Sequence, residues 1–378
     1  MPEVLVPVVT SLDPVRVPYT TDDVTGREGT SGLTMCSTFS GAGGSTLGYR
    51  LAGFKVLWAN EFDPDAAAMY RLNMKPDTIL DERGIRAIDF HELREQLGEV
   101  DLFEGSPPCS KFSTSGKRSE SWGQVTGSDS PIKQDRVEDL FFDWIEAVKV
   151  MRPKIAVAEN VTGLTIGPAR GYLIEILERL RDAGYNTKVW KLDASLFGAP
   201  TRRTRIFVVG TRLDGFPVMP VPSTPTPITA GEATADLQDD LIVRYPPMRG
   251  ETDEVVWENN WAPLLRPEWA ICKKAKQMRP GTSHADRFSL MRLHPDKPAP
   301  VLDTVGGPSS AGFVHWDKQL RRFSIEELAR LQGFPDHYNF GHPVSYTTKV
   351  ARLGNSVPPP LAAAVVTSIR NYLTANTP

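Results

Sequence analysis

Four short stretches of this sequence hold residue types that can do chemistry together. The stretch SPPC ends in Cys109, directly after the apolar run VDLFEG (residues 100–105). A cysteine at the end of a strand can serve as a nucleophile in its thiolate form, and the prolines before it stiffen its approach. Its neighbours Ser110, Lys111 and Ser113 are polar, a poor setting for an inert buried thiol. Glu159 closes another apolar run, KIAVAEN (154–160), where a carboxylate finds no water unless a site is present. Just before the run IFVVG, the knot TRRTR (201–205) carries Arg203 and Arg205. The loop FSGAGG (39–44) supplies Phe39, Ser40, Gly41, Gly43 and Gly44 between a strand-like and a helix-like stretch, where glycines let the backbone come close to a ligand. It lacks the GxGxxG spacing of the dinucleotide fingerprint. Glu61, at the end of the following run KVLWANEF, can accept both hydroxyls of a ribose, so loop and acid together point to an adenosine-containing cofactor.

These residues need a scaffold that brings strand ends to one edge. From Leu33 onward apolar strands and amphipathic helices alternate, which predicts an α/β fold with a largely parallel sheet. Asp63 before Pro64 predicts a helix start, and Ser324 with Glu327 forms a capping box. Residues 1–31 are rich in Val, Pro and Thr without periodicity and read as an extended or disordered N-terminal arm. The polar loop after Cys109 runs for about 25 residues, long enough to require a functional reason such as a lid. Residues 214–320 change texture, gaining proline and tryptophan, and read as a separate small domain. The expected division is an arm (1–31), a catalytic domain (32–213), the small domain (214–320) and a return to the catalytic domain (321–378).

Bulk properties limit the alternatives. The 378 residues carry a net charge of −3, which speaks mildly against nucleic-acid binding, yet basic residues cluster from Arg266 to Lys297, among them Lys273, Lys274 and Arg279. Three separated cysteines and six scattered histidines give neither a disulfide framework nor a metal site, so no metal is expected. Cys36 and Cys272 read as small buried hydrophobes. No stretch is apolar enough for a membrane span and the N-terminus does not read as a secretion signal, so cytoplasmic residence is expected.

In order, FSGAGG, the acid of ANEFD, SPPCSKFS, ENV, RRTR, EELARLQGFPDHY and GNSVPP resemble the motif set of the DNA cytosine-5 methyltransferases, from Leu33 to Pro360 apart from the middle. The resemblance implies a Rossmann-like S-adenosylmethionine-dependent sheet with helices on both faces and a small irregular target-recognition domain. It implies that Phe39, Ser40, Gly41, Gly43, Gly44, Glu61, Asp89, Pro107, Asn355 and Ser356 surround S-adenosylmethionine. Cys109 would attack carbon 6 of a flipped cytosine, Glu159 would bind N3 and the amino group, Arg205 the carbonyl at position 2, and Arg203 would support them. Double-stranded DNA is the implied partner, touched by Ser110, Lys111, Ser113, Lys117, Arg118, Lys273, Lys274 and Arg279. A cognate restriction endonuclease is a further implied partner, and the enzyme is expected to be a bacterial or phage-encoded, nucleoid-associated monomer. Where the family carries glutamine, this chain has Ser110, Thr201 and Arg352, changes that touch supporting contacts. The competing readings are a tRNA cytosine-5 methyltransferase, an inactive DNA-binding relative and, weaker, a hydride-transfer enzyme. The variable middle with its basic run favours DNA, and the joint presence of Cys109, Glu159 and Arg205 favours an active enzyme.

Overall fold

The computed structural model describes residues 14–108, 140–167, 169–224, 226–246, 260–302 and 312–376. The elements of the first half are α1 (Thr21–Arg27), β1 (Thr34–Thr38), α2 (Gly44–Leu51), β2 (Lys55–Asn60), α3 (Pro64–Asn73), β3 (Ile79–Asp81), α4 (Phe90–Leu97), β4 (Leu102–Gly105), α5 (Leu140–Met151), β5 (Ile155–Val161), α6 (Ala169–Asp182), β6 (Asn186–Asp193) and β7 (Thr204–Thr211). There follow α7 (Ala230–Thr234), β8 (Ile242–Arg244), β9 (Trp261–Pro263), α8 (Ala270–Lys276), β10 (Thr282–His284), β11 (Arg287–Arg292), β12 (Gly312–Val314), α9 (Ile325–Gln332), α10 (Tyr346–Asn355) and α11 (Pro359–Asn376).

A seven-stranded sheet runs β3-β2-β1-β4-β5-β7-β6. Its first five strands are parallel, while β7 is antiparallel to both neighbours. The strands are apolar on both faces because helices cover both. Met35, Leu102, Val157 and Phe207 pack with residues of α2 and α11, whereas Cys36, Phe103, Ala158 and Val208 pack with α5 and α6. Parallel register sets Thr38 opposite Asn60 and Gly105, and Gly105 opposite Ala158, so the chain leaves β1, β2, β4 and β5 along one edge. The reversed β7 enters at that same edge, with Arg205 opposite Val161.

Local signals at the helix starts hold. Asp63 caps α3 with Pro64 at its first position, and Ser324 and Glu327 form the capping box of α9. The reading of residues 1–31 as an arm needs correction where the structure describes it. Residues 21–27 form α1, capped by a Thr20–Asp23 box, with Val17, Tyr19 and Val24 in the core. Buried Arg50 of α2 holds Glu28 at 2.7 Å, tying α1 to the sheet's helical layer. The small-domain segment holds a core of its own around Leu265, Ile271, Met278, Leu290 and Val314. Other residues of it, including Ile228, Ala233, Trp261 and Leu293, share a cluster with Leu47, Phe323 and Phe334, so packing crosses the expected boundary at 320.

Candidate active site

The glycine loop is bent by the backbone and pinned by its neighbours. Phe39 stands at φ +53° and Gly41 at φ +56°, the left-handed region that costs an aromatic residue free energy unless the surroundings hold it. Ser40 N–H donates to the Asn60 carbonyl at 3.0 Å, and Gly43 N–H to the Ser40 carbonyl at 2.9 Å. Glu61 is buried, and its two oxygens accept from Gly41 N–H at 2.7 Å and Asp63 N–H at 2.8 Å. Burial raises its pKa, and those two N–H groups work against the rise. Each carboxylate oxygen can accept more than one hydrogen bond. Glu61 is therefore oriented by the backbone and keeps acceptor capacity on both oxygens.

From the other side the C-terminal segment closes on the loop. A Cβ on Gly44 would stand 2.5 Å from the Val357 carbonyl oxygen and 2.8 Å from Ser356 Cβ, so only glycine allows this approach. Ser356 spends its hydroxyl on the Arg352 carbonyl, Gln332 donates to the Ser356 carbonyl, and Asn355 is exposed. Arg352, standing where glutamine was expected, pairs with Asp63 at 3.0 Å.

At the ends of β5 and β7, Glu159 and Arg205 form an ion pair at 3.0 Å, each side chain only 12% exposed. Burial raises the Glu159 pKa, opposed by the charges of Arg205 and Arg203. Arg203 is 3% exposed, its Nε and Nη1 have no hydrogen-bond partner among the described residues, and burial pushes its pKa down to about 9. A buried guanidinium with orphaned donors beside a carboxylate marks a place built for an additional acceptor. Asn160 ties this cluster to the SPPC stretch, donating to the Pro107 carbonyl at 3.1 Å. Cys109 itself, with Ser110, Lys111, Ser113, Lys117 and Arg118, lies outside the described residues.

Residues 33–371 match the family described as C-5 cytosine-specific DNA methylase. The chain belongs to that family. It is a DNA (cytosine-5)-methyltransferase of a family that uses S-adenosylmethionine. Type II methyltransferase M.NgoPII of Neisseria gonorrhoeae is 29% identical over 347 residues, 90% of this chain and 96% of that protein. Type II methyltransferase M.FnuDI of Fusobacterium nucleatum is 30% identical over 356 residues, 90% and 95% of the two chains. In fold, the chain is similar to a putative DNA modification methyltransferase encoded within an E. coli prophage, with TM-score 0.71, 23% identity and coverage of 90% and 99%. It resembles DNMT2 of Spodoptera frugiperda more distantly, with TM-score 0.59, 17% identity and coverage of 89% and 99%.

The geometry of this methyltransferase fits S-adenosylmethionine at the FSGAGG loop. Gly41 has open space where a Cβ would be, and the free acceptor capacity of Glu61 matches paired ribose hydroxyls. Asp89 is exposed and caps α4, accepting from His91 N–H and Glu92 N–H through one oxygen. Cys36 and Cys272 are buried, as expected of small hydrophobes. Lys273 and Lys274 lie on α8 and Arg279 follows it, with Lys273 and Arg279 exposed. Among the described residues no group of His, Cys, Asp and Glu is arranged to hold a metal ion.

Sequence reasoning missed Glu104, the penultimate residue of VDLFEG. This residue is 1% exposed and accepts from Ser37 Oγ at 2.6 Å and Ser106 Oγ at 3.2 Å. Burial pushes its pKa up to about 7, against hydrogen bonds from Ser37, Ser45 and Ser106. A charged residue inside an apolar strand was the available signal.

Proposed function

We propose that the methyltransferase uses Cys109 to add to carbon 6 of a cytosine flipped out of double-stranded DNA. The observation that carries this reading is the buried Glu159–Arg205 pair with Arg203 beside it, on the sheet edge that also carries the glycine loop and leads into SPPC. Carbon 5 of cytosine is a poor nucleophile until addition at carbon 6 makes an enamine. A thiolate suits that step because it attacks strongly and leaves again. Glu159, protonated, gives a proton to N3 as the adduct forms, while Arg205 accommodates the carbonyl at position 2 and Arg203 holds the pair. S-adenosylmethionine, when bound, supplies an electrophilic methyl group. Carbon 5 accepts it, the carbon 5 proton leaves to solvent, Sγ departs as a thiolate, and N3 returns its proton to Glu159, which restores the aromatic ring. Phe39, Gly41 and Glu61 orient the cofactor, with Asp89, Pro107, Asn355 and Ser356 at the margins of its site.

None of these atoms is reachable in a duplex, so the base must be extruded, at a cost of roughly a few kcal/mol. Residues 214–320 serve as the target-recognition domain. Lys273, Lys274 and Arg279 meet DNA there, with exposed Arg287 and the 80% exposed Phe288 on β11. Residues 110–118 complete the DNA contact. The type II names of the relatives support a modification role with a cognate endonuclease, in a bacterial or phage-infected cytoplasm. No helix of the described residues is long and apolar enough to cross a membrane.

Bisulfite sequencing of DNA from a methylation-free bacterial host expressing the protein, beside Cys109→Ser, tests this. Protected cytosines within one short motif, absent in the variant, are the expected result. Protection that survives Cys109→Ser would remove the nucleophile assignment, and no protection with well-folded protein would remove the duplex-DNA reading.

A further inference from the structure

The end of β4 lies between the glycine loop and the SPPC stretch, and the Glu104 side chain reaches towards both. Its Oε2 accepts from Ser37 Oγ at 2.6 Å, and Ser37 Oγ stands 2.8 Å from Ser40 Oγ of the FSGAGG loop. Its Oε1 accepts from Ser106 Oγ, where SPPC begins, in the longer arm at 3.2 Å. Ser37, Ser40 and Glu104 are all buried, so these bonds form away from competing water. Ser40, Ser37, Glu104 and Ser106 thus make an unbroken side-chain line from one loop to the other. A carboxyl inside an apolar strand is costly unless it is hydrogen-bonded, and here its bonding capacity is spent on joining two loops.

We propose that Glu104 is a positioning residue, a clasp that sets the cofactor loop and the SPPC stretch at a fixed separation so that methyl donor and captured base meet at reacting distance. This rests on the reading of Cys109 given above. Each partner of a methyl transfer can be bound well and still be misaligned with the other, and a misplacement of about 1 Å can cost about 10²-fold in rate. The clasp therefore acts on the rate of transfer and leaves the binding of either partner to its own loop.

The strand order shows what the clasp adds. The glycine loop is anchored to the end of β2, through Ser40 N–H to the Asn60 carbonyl, and SPPC to the end of β5, through Asn160 to the Pro107 carbonyl. β2 and β5 flank the β1–β4 pair, so these two anchors hold the loops from opposite sides. Glu104 joins the loops across that pair. The backbone beneath is zipped in the same place, with Thr38 Oγ1 donating to the Glu104 carbonyl at 3.0 Å and Ser106 N–H to the Thr38 carbonyl at 3.3 Å. A serine hydroxyl can donate or accept, so the clasp holds whether Glu104 is ionised or protonated, and a glutamine of the same length can keep it closed.

The test is a double-mutant cycle on full-length protein with Ser37→Ala, Ser106→Ala and the two combined, beside Glu104→Leu and Glu104→Gln. Single-turnover methylation reads the rate, and titrations with S-adenosylhomocysteine and with duplex DNA read the two affinities. Each serine variant is expected to lose about tenfold in rate with both affinities within about threefold of wild type. Cutting one arm already opens the clasp, so the combined variant should lose no more than about threefold beyond either single one. Two independent braces would instead multiply to about a hundredfold loss. Glu104→Leu should fall to the level of the combined variant, and Glu104→Gln should recover most of that loss. Multiplying losses, losses confined to affinity, wild-type rates in both serine variants, or Glu104→Gln as slow as Glu104→Leu would each overturn the clasp. Cys109→Ser separates the two ideas: methylation that survives it would remove the reading of the nucleophile. Loss of methylation in Cys109→Ser together with multiplying serine effects would remove the clasp alone.

Discussion

Replacing Glu61 with glutamine distinguishes a cofactor ligand from a loop brace. Both carboxylate oxygens already accept a backbone N–H, from Gly41 at 2.7 Å and from Asp63 at 2.8 Å. Glutamine offers one oxygen and one NH2 group, so one of those N–H donors would face another donor. Leaving it unsatisfied in a buried site costs about 1–3 kcal/mol of stability. If the remaining acceptor capacity of Glu61 holds ribose hydroxyls, Glu61→Gln also removes at least one charge-assisted hydrogen bond, about 1.5–3 kcal/mol. At 1.4 kcal/mol per decade this weakens cofactor binding roughly 10- to 150-fold. Titration calorimetry with S-adenosylhomocysteine, on protein free of DNA, reads the affinity, and denaturant unfolding reads the stability. Affinity within about threefold of wild type, together with the expected stability loss, would refute the ligand role. Glu61 would then be a brace for the glycine loop and nothing more.

Glu159→Gln should lower single-turnover methylation by about 10²–10⁴-fold. Glu159→Ala should in addition destabilise the fold by up to about 3–5 kcal/mol, because Arg203 and Arg205 stay buried without a countercharge; equal unfolding midpoints for Ala and Gln would contradict this. Gly48→Ala should cost about 1–3 kcal/mol by denaturant unfolding, since the new Cβ would lie 2.5 Å from both Ala362 Cβ and the Pro359 carbonyl oxygen. Glu104 sets a pH dependence of stability. Its folded pKa of about 7 lies above the ordinary 4.5, so the stability of its protonated form is full below 4.5 and is lost as pH rises through about 7. The loss is on the order of 3 kcal/mol, and Glu104→Gln should flatten the curve measured by urea unfolding between those values. Arg50→Ala should loosen α1, since buried Glu28 loses its 2.7 Å partner; limited proteolysis near residue 28 would show it, and wild-type resistance would not fit.

What the sequence made readable was local: strand ends, caps and the residues that follow them. FSGAGG, Glu61 and Glu159 could be placed on one edge because each follows an apolar run of strand length, whereas the arginine knot precedes its run. The direction of β7 was not readable, since an apolar run has the same pattern whichever way it enters a sheet, yet its reversal is what brings Arg203 and Arg205 to Glu159. α1 was missed although Thr20 and Asp23 spell a capping box, because the surrounding Val, Pro and Thr obscured it. Glu104 was missed because the 2.6 Å hydrogen bond that holds it comes from Ser37, on another strand and 67 positions away in the chain. The reasoning applied to Glu159, that a carboxylate in an apolar run needs a purpose, applied equally to Glu104 and was the one usable signal.

The glycines of the FSGAGG loop and of α2 do different work. Gly41 is left-handed, has open space at its Cβ position and donates its N–H to Glu61, so its bareness faces open space. Gly44 and Gly48 are bare for another reason: they admit the Val357 and Pro359 carbonyls, the first lying in the turn into α11 and the second in its opening residues. One side of the loop is therefore set by the sheet through Asn60 and Glu61, and the other by residues of the C-terminal segment, including Tyr338, 296 positions after Ala42, whose hydroxyl donates to the Ala42 carbonyl. The segment between these two halves, residues 214–320, need not disturb the loop, provided the C-terminal segment returns to close on it. That division leaves the glycine loop, Glu61, Glu159 and the arginines on one edge of the sheet, built from residues outside 214–320.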